Sequence, residues 1–242
     1  MLKKTYSLWI MIFGLSIFCM PVSADDNKRL KGDAEAVDAI ERMIERFGGK
    51  EVWSRAVILY VEYDGWRTDP DEPMIERAWR NVREPLQRSE FEGQSFYTVS
   101  VISPEASWRS RNGEVSIRTP EQHAATIDRY PFGFYNSLHT FAVADERVRL
   151  EWVASQERVI VKSADGTERS WYEIDGTGAL LRWGAGLSDG RQFSYVYGPM
   201  RSFGNVNFPA WGTADDGWWR WNYVAVDVST ESEFPVSVAM PD

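Results

Sequence analysis

Turn signals cut the chain into short pieces from residue 56 to its end, and this spacing limits the fold more than any other feature. Asp69-Pro70, Glu84-Pro85, Asn112-Gly113, Asp165-Gly166, Asp175-Gly176, Asp189-Gly190 and Asp216-Gly217 are pairs that favour reversal of the backbone. The intervening runs are rich in β-branched and aromatic residues. They predict strands over Ala56–Trp66, Met74–Arg83, Leu86–Glu92, Ser95–Ile102, Glu114–Arg118, Arg147–Val153 and Arg158–Ser163. Further strands are expected over Ser170–Ile174, Leu180–Trp183, Gln192–Pro199, Asn207–Trp211 and Trp219–Val228, with a possible tail strand. Short turns between successive strands make antiparallel meanders, not βαβ units.

Alternation along these strands shows what they enclose. Val57, Leu59, Val61 and Tyr63 share one face, as do Phe193, Tyr195 and Tyr197. Trp219, Trp221 and Tyr223 form a third aromatic row, with Val224, Val226 and Val228 on the opposite face, so this strand is read as apolar on both sides. A sheet of about ten or more strands curls or closes. Twelve Trp, ten Tyr and twelve Phe exceed what a simple core requires and suit a wide interior or an apolar cavity.

One helix precedes the strands. Val37, Ile40, Ile44 and Phe47 recur at helical spacing behind a potential Asp33 cap, and Gly48-Gly49 ends the pattern. Its apolar stripe must bury against the sheet. A second exception lies between Pro120 and Ser137, where Glu121–Asp128 is helix-compatible and Tyr130-Pro131-Phe132-Gly133-Phe134-Tyr135 is aromatic. This segment is either a crossover that packs its aromatics into the core or a lid in which Tyr130, Phe132 and Phe134 cover a cavity mouth. High mobility of the segment and solvent-exposed Phe132 or Phe134 would favour the lid.

The first two dozen residues address the chain. Lys3 and Lys4, the apolar run Leu8–Phe18 and the small-residue exit Val22-Ser23-Ala24 read as a cleavable signal peptide over residues 1–24, with a retained single-pass anchor as the alternative. Phe18 before Cys19 argues against acylation there. The remaining 25–242 is read as a single domain, periplasmic in location, with no membrane span after processing. Cys19 is the only cysteine, so the mature chain has no disulfide, thiol nucleophile or Cys-based zinc site. The whole chain carries a net charge of −9, and the part after the leader about −11, a poor match for nucleic acid.

Catalytic signatures are sparse. His123 and His139 are too few for a three-histidine site, and neither sits in a recognised motif. A Ser–His–Asp set remains an alternative to structural histidines. Asp69, Asp71, Glu72 and the pair Asp215, Asp216 suit solvated turns better than a calcium loop. No cofactor or metal is expected. Arg67, Arg77, Arg80, Arg83 and Arg88 are read as interstrand partners of Glu62, Glu76, Glu90 and Glu92, or as guanidiniums at a cavity rim. Arg67, Arg77 and Arg80 are the head-group candidates. Trp218–Tyr223 is either a sugar-stacking face or a cavity lining.

The order of leader, amphipathic helix Ala36–Phe47, Gly48-Gly49-Lys50-Glu51-Val52-Trp53 and long meander resembles the LolA/LolB-like superfamily of periplasmic lipoprotein carriers and localisation factors. Later stretches carry the likeness further: Trp171-Tyr172-Glu173-Ile174-Asp175 with Leu180-Leu181-Arg182-Trp183, Tyr195-Val196-Tyr197-Gly198, and Phe203-Gly204-Asn205-Val206-Asn207-Phe208-Pro209. The resemblance implies a mainly β, α+β fold: an unclosed antiparallel β-barrel covered by the N-terminal helix and the central helical or loop segment. Relatives of this kind shield acyl chains. No one residue among Arg67, Arg77, Arg80 and Arg83 corresponds to the carrier's transfer arginine, the receptor's lipobox is missing, and there is no second domain of the stress-sensor type.

Together these readings give an exported, non-catalytic carrier for a lipid, a lipoprotein acyl chain or another apolar ligand. The expected lining is Leu59, Trp79, Tyr97, Trp152, Tyr195, Trp219 and Trp221. An envelope protein-interaction module with a filled barrel is the alternative, and an enzyme on the same scaffold the third.

Overall fold

The computed structural model describes residues 28–69, 71–186 and 192–241. The expected signal peptide, Pro70 of one turn and the Asp189-Gly190 turn lie outside the described residues.

Two meanders build the fold. The first runs through β2 (Ile58–Thr68), β3 (Asp71–Asn81), β4 (Leu86–Gly93), β5 (Tyr97–Ile102), β6 (Ser107–Arg111) and β7 (Glu114–Ile117). The second runs through β8 (Val148–Val153), β9 (Arg158–Ser163), β10 (Glu168–Ile174), β11 (Leu180–Gly186), β12 (Gln192–Tyr197), β15 (Trp211–Ala214) and β16 (Trp219–Ser229). Long strands β16 and β2 pair antiparallel and fuse the two halves. With the short parallel strand β1 (Lys31–Gly32) beside β8, this gives a 14-stranded sheet whose edges, β1 and β7, do not pair. The fold is therefore mainly β, with an open sheet. A separate hairpin joins β13 (Met200–Phe203) and β14 (Val206–Pro209).

Helix α1 (Ala34–Arg46) buries Ala36, Ala39, Ile40, Met43 and Ile44 and packs on β8, β9 and β10. Asp33 occupies the cap position, but its carboxylate accepts from the Trp152 N–H at 2.9 Å instead of capping its own helix. Gly48 follows with φ 127°, and a Cβ there would come within 2.9 Å of the Asn205 carbonyl, so the turn against the β13–β14 hairpin requires glycine. Helix α2 (Lys50–Arg55) comes next, and the Arg83 side chain donates to its terminal carbonyls at Arg55 and Ala56, each 2.8 Å away.

Between the meanders run α3 (Pro120–Arg129), a 3₁₀ turn over Tyr130–Phe132 and α4 (Phe134–Ala142). Thr119 and Gln122 form a reciprocal capping box at the start of α3. Tyr130, Phe132 and Phe134 are 8%, 6% and 4% exposed. This corrects the lid reading: the segment packs its aromatics inward, as the crossover alternative requires.

A second correction concerns β16. The register with β2 shifts between Tyr223 and Ala225, so Val226 opposes Val61 and Val228 opposes Leu59. The bulge leaves Val224 48% exposed and turns Val226, only 8% exposed, to the same face as Tyr223. The strand is thus apolar on one face only. The tail after Ser229 forms no strand among the described residues; Val238 instead packs on Val99, Val101 and Trp108 on the outer face.

Candidate functional site

Parity along the strands sets two different walls on the inner face. On the second meander the inward positions are aromatic: Trp183 of β11, Phe193 and Tyr195 of β12, and Trp219 and Trp221 of β16. Their rings are in mutual contact. Trp183 and Tyr195 stack at 5.9 Å, Tyr195 meets Trp221 edge-on at 5.3 Å, and Trp219 lies 4.4 Å from Trp221. Gly212 makes room for this row, because a Cβ there would lie 2.3 Å from Cζ2 of Trp221.

On the first meander the part of the same face that borders the cavity is mostly polar, with Tyr63 and Phe91 among it. Glu76 and Arg80 of β3, Gln87 and Ser89 of β4, Ser100 of β5 and Arg109 of β6 point at the aromatic wall, with Arg67 of β2 between the two. A cavity of about 450 Å³ separates the walls, and Gly133–Asn136 at the start of α4 form one end. This volume falls in the range of small-molecule sites. Trp183 and Arg109 both line it although eight strand-to-strand steps separate β11 from β6. In a flat sheet those strands would stand roughly 38 Å apart, so the sheet curves over the cavity.

Charge is unevenly satisfied in this space. Arg80 donates to Gln87 Oε1 and stacks over the Tyr135 ring at 4.8 Å. Tyr135 in turn shares a 2.9 Å hydrogen bond with the Tyr223 hydroxyl. Glu76 is 2% exposed, and burial pushes its carboxyl up to about 7, with Arg80, Tyr63 and Arg67 pulling it back only part of the way. Nε of Arg67 and Arg80, Oε2 of Glu76 and the indole nitrogens of Trp183, Trp219 and Trp221 are buried with no partner among the described residues.

Of the expected lining residues, the structure brings Tyr195, Trp219 and Trp221 to the cavity, together with Arg67 and Arg80. The others are corrections. Leu59 is fully buried in the core, and Trp152 packs beside that core without lining the cavity. Trp79 faces the other side of the sheet, where its ring meets Tyr60 at 5.2 Å. Tyr97 is 44% exposed. Arg77 lies on that outer side too, paired with Glu92 at 3.1 Å and Glu62 at 3.8 Å. Of the expected lid residues, only Phe134 lines the cavity. Sequence reasoning missed Glu76, Gln87, Trp183 and Arg109. The signal for Glu76 was present: Met74, Ala78 and Val82 mark the inward parity of β3, and Glu76 and Arg80 share it.

The histidines play local roles. His139 Nδ1 meets the Trp53 carbonyl at 2.8 Å, and burial lowers its pKa. His123 Nδ1 meets Ser107 Oγ at 2.9 Å, but its other nitrogen faces the Pro104 carbonyl at 3.2 Å rather than a carboxylate. Ser107 is 1% exposed, so this pair lacks both the third member and the access that nucleophilic catalysis needs. Among the described residues, no three His, Cys, Asp or Glu side chains gather as metal ligands would. No helix there is long and apolar enough to cross a membrane.

No family model matches the chain, and no curated protein matches it. Among solved structures it is similar to a domain described as an outer membrane lipoprotein-sorting protein from Vibrio parahaemolyticus, at 10% identity and a TM-score of 0.43, over 82% of this chain and 94% of that one. It is also similar to a DUF1329 family protein from Desulfovibrio piger ATCC 29098, at 7% identity and a TM-score of 0.44, over 80% and 92% of the two chains. A likeness to MucB has 12% identity and a TM-score of 0.24, over 86% of this chain and 61% of that one. The first description is of the same kind as the LolA/LolB-like resemblance carried by the sequence. At TM-scores below 0.5 these likenesses carry no functional weight; the cavity and its two walls do.

Proposed function

We propose that this chain is an exported periplasmic carrier for a lipidic or other amphipathic ligand, which it binds and releases without chemistry. In this reading the leader over residues 1–24 is removed, and 25–242 is one domain built as an unclosed half-barrel. The observation that carries it is the cavity whose aromatic wall faces a polar, guanidinium-bearing one. Tyr195, Trp219 and Trp221 contact the apolar part of the ligand, and Arg67 and Arg80 hold its head group.

The energetics suit reversible carriage. Each methylene taken from water contributes about 0.8 kcal/mol, so a chain of moderate length supplies most of the affinity. Immobilising the ligand offsets part of that gain, which keeps release possible. The alternative of a barrel filled by its own side chains does not fit a cavity of about 450 Å³.

The test is quenching of tryptophan emission by a brominated dodecanoate in the purified mature chain. Saturable quenching that Trp221→Ala weakens at least tenfold is expected. Quenching that rises linearly without saturation, and is equal in the variant, would overturn the proposal.

A further inference from the structure

Acidic side chains outnumber basic ones 36 to 27 in this chain, so a free carboxylate is seldom far from an arginine. Several strand arginines use one: Arg77 pairs with Glu92, Arg88 with Glu90, Arg158 with Glu173, Arg169 with Asp128 and Arg182 with Asp215. At the cavity mouth three lie together without one. Arg67 on β2 and Arg109 and Arg111 on β6 make no ion pair among the described residues. Arg109 and Arg111 stand two residues apart on one strand, so both point to the inner face. They are close enough to Arg67 that, after burial, their charge helps to depress its pKa.

One nearby carboxylate is committed elsewhere: Glu72, the register partner of Arg67, accepts from the Ser95 N–H at 3.1 Å and the Ser95 hydroxyl at 2.8 Å. Glu76, 2% exposed, attracts Arg67 but makes no ion pair with it among the described residues, and burial favours its neutral form. Three gathered guanidiniums repel one another unless an anion joins them. Arg67 Nε and the Trp219 and Trp221 indole nitrogens are buried donors unpartnered among the described residues, against one unpartnered acceptor in the cavity, Glu76 Oε2. Trp219 and Trp221 both line the cavity.

We infer that the cavity mouth is an oxyanion site in which Arg67, Arg109 and Arg111 hold a phosphate or carboxylate, so that the carried ligand is an anionic amphiphile and not a neutral one. Its apolar half rests on the carrier reading above, whereas the oxyanion site stands on the arginine cluster alone. Guanidiniums bind such groups through paired, charge-assisted hydrogen bonds.

The test compares four probes on the mature chain by calorimetry: dodecyl phosphate, dodecanoate, monododecanoylglycerol and inorganic phosphate. Both anionic amphiphiles should bind at least tenfold more tightly than the neutral one, with the advantage shrinking as salt rises. The double variant R109Q/R111Q should weaken the anionic amphiphiles about tenfold and leave monododecanoylglycerol unchanged. Neither arginine side chain makes a hydrogen bond among the described residues, so the variant keeps the fold; its unfolding midpoint verifies this. Equal affinity for the charged and neutral amphiphiles, or equal loss of both in R109Q/R111Q, overturns the oxyanion site. Saturable binding of inorganic phosphate alone, lost in the double variant, supports the site and defeats the carrier reading. Binding of none of the four defeats both.

Discussion

Tyr63 on β2 and Glu76 on β3 are direct register partners, so a carboxyl group that is 2% exposed shares the inner face with a buried phenol. The consequence is a pH-dependent cost. The Glu76 carboxyl is held up at about 7, against 4.5 for a free glutamate, chiefly by burial. Between those values the folded chain keeps a proton that the unfolded chain has released. Stability contributed by this group is therefore present at low pH and lost as pH rises toward 7. Glu76→Gln should be more stable than the parent by about 3 kcal/mol at pH 8, with little difference at pH 4. Urea unfolding of both proteins at the two pH values measures this; a parent equal to the variant at pH 8 would contradict the buried carboxyl.

The bulge in β16 predicts opposite outcomes at two neighbouring valines. Val226 is 8% exposed and Val224 is 48% exposed. Val226→Ala should lower stability by roughly 1.5–3 kcal/mol, while Val224→Ala should stay within about 0.5 kcal/mol of the parent. Denaturant midpoints decide it, since strict alternation would give the two positions equal effects.

The core and the helix were legible in the chain. Val37, Ile40, Ile44 and Phe47 carry an unbroken helical period, and they pack as that period requires. Strand β9 has the expected bounds, with the Asp165-Gly166 turn closing directly on Ser163 at its end. The site was harder to read for two physical reasons. Aromatic bulk drew attention to Trp79 and Tyr97, yet parity puts both on the outer side, where Trp79 serves Tyr60. The cavity wall from β3 to β6 is mostly polar, and polar side chains facing a cavity look the same in sequence as polar side chains facing water. The phase change at Val224 left no local mark either, since a bulge needs only one added residue. Strand β15 and the β13–β14 hairpin were blurred by Gly198, Pro199, Pro209 and Gly212, which interrupt the alternation.

Gly212 links fold to site. A Cβ at this position would meet Cζ2 of Trp221 at 2.3 Å, so the ring must move or the strands must part. Gly212→Ala should cost about 1–3 kcal/mol and also weaken quenching by the brominated dodecanoate. Reduced stability with unchanged quenching would show that the Trp221 ring is not part of the binding wall.

The crossover at Phe134 is packed and not a cover. This ring is 4% exposed and contacts Phe47 at 5.9 Å and Tyr197 at 5.5 Å. Phe134→Ala should destabilise by about 3–5 kcal/mol. Amide hydrogen exchange over α4 should be as slow as in β2; fast exchange there in an otherwise protected protein would restore the lid.

The most direct test of the account is native mass spectrometry of the chain isolated from the cell envelope without detergent. We predict a population carrying one amphiphile per protein, which organic extraction releases and which Arg67→Gln depletes. A spectrum containing only the bare polypeptide, with no lipid in the extract, would contradict a carrier.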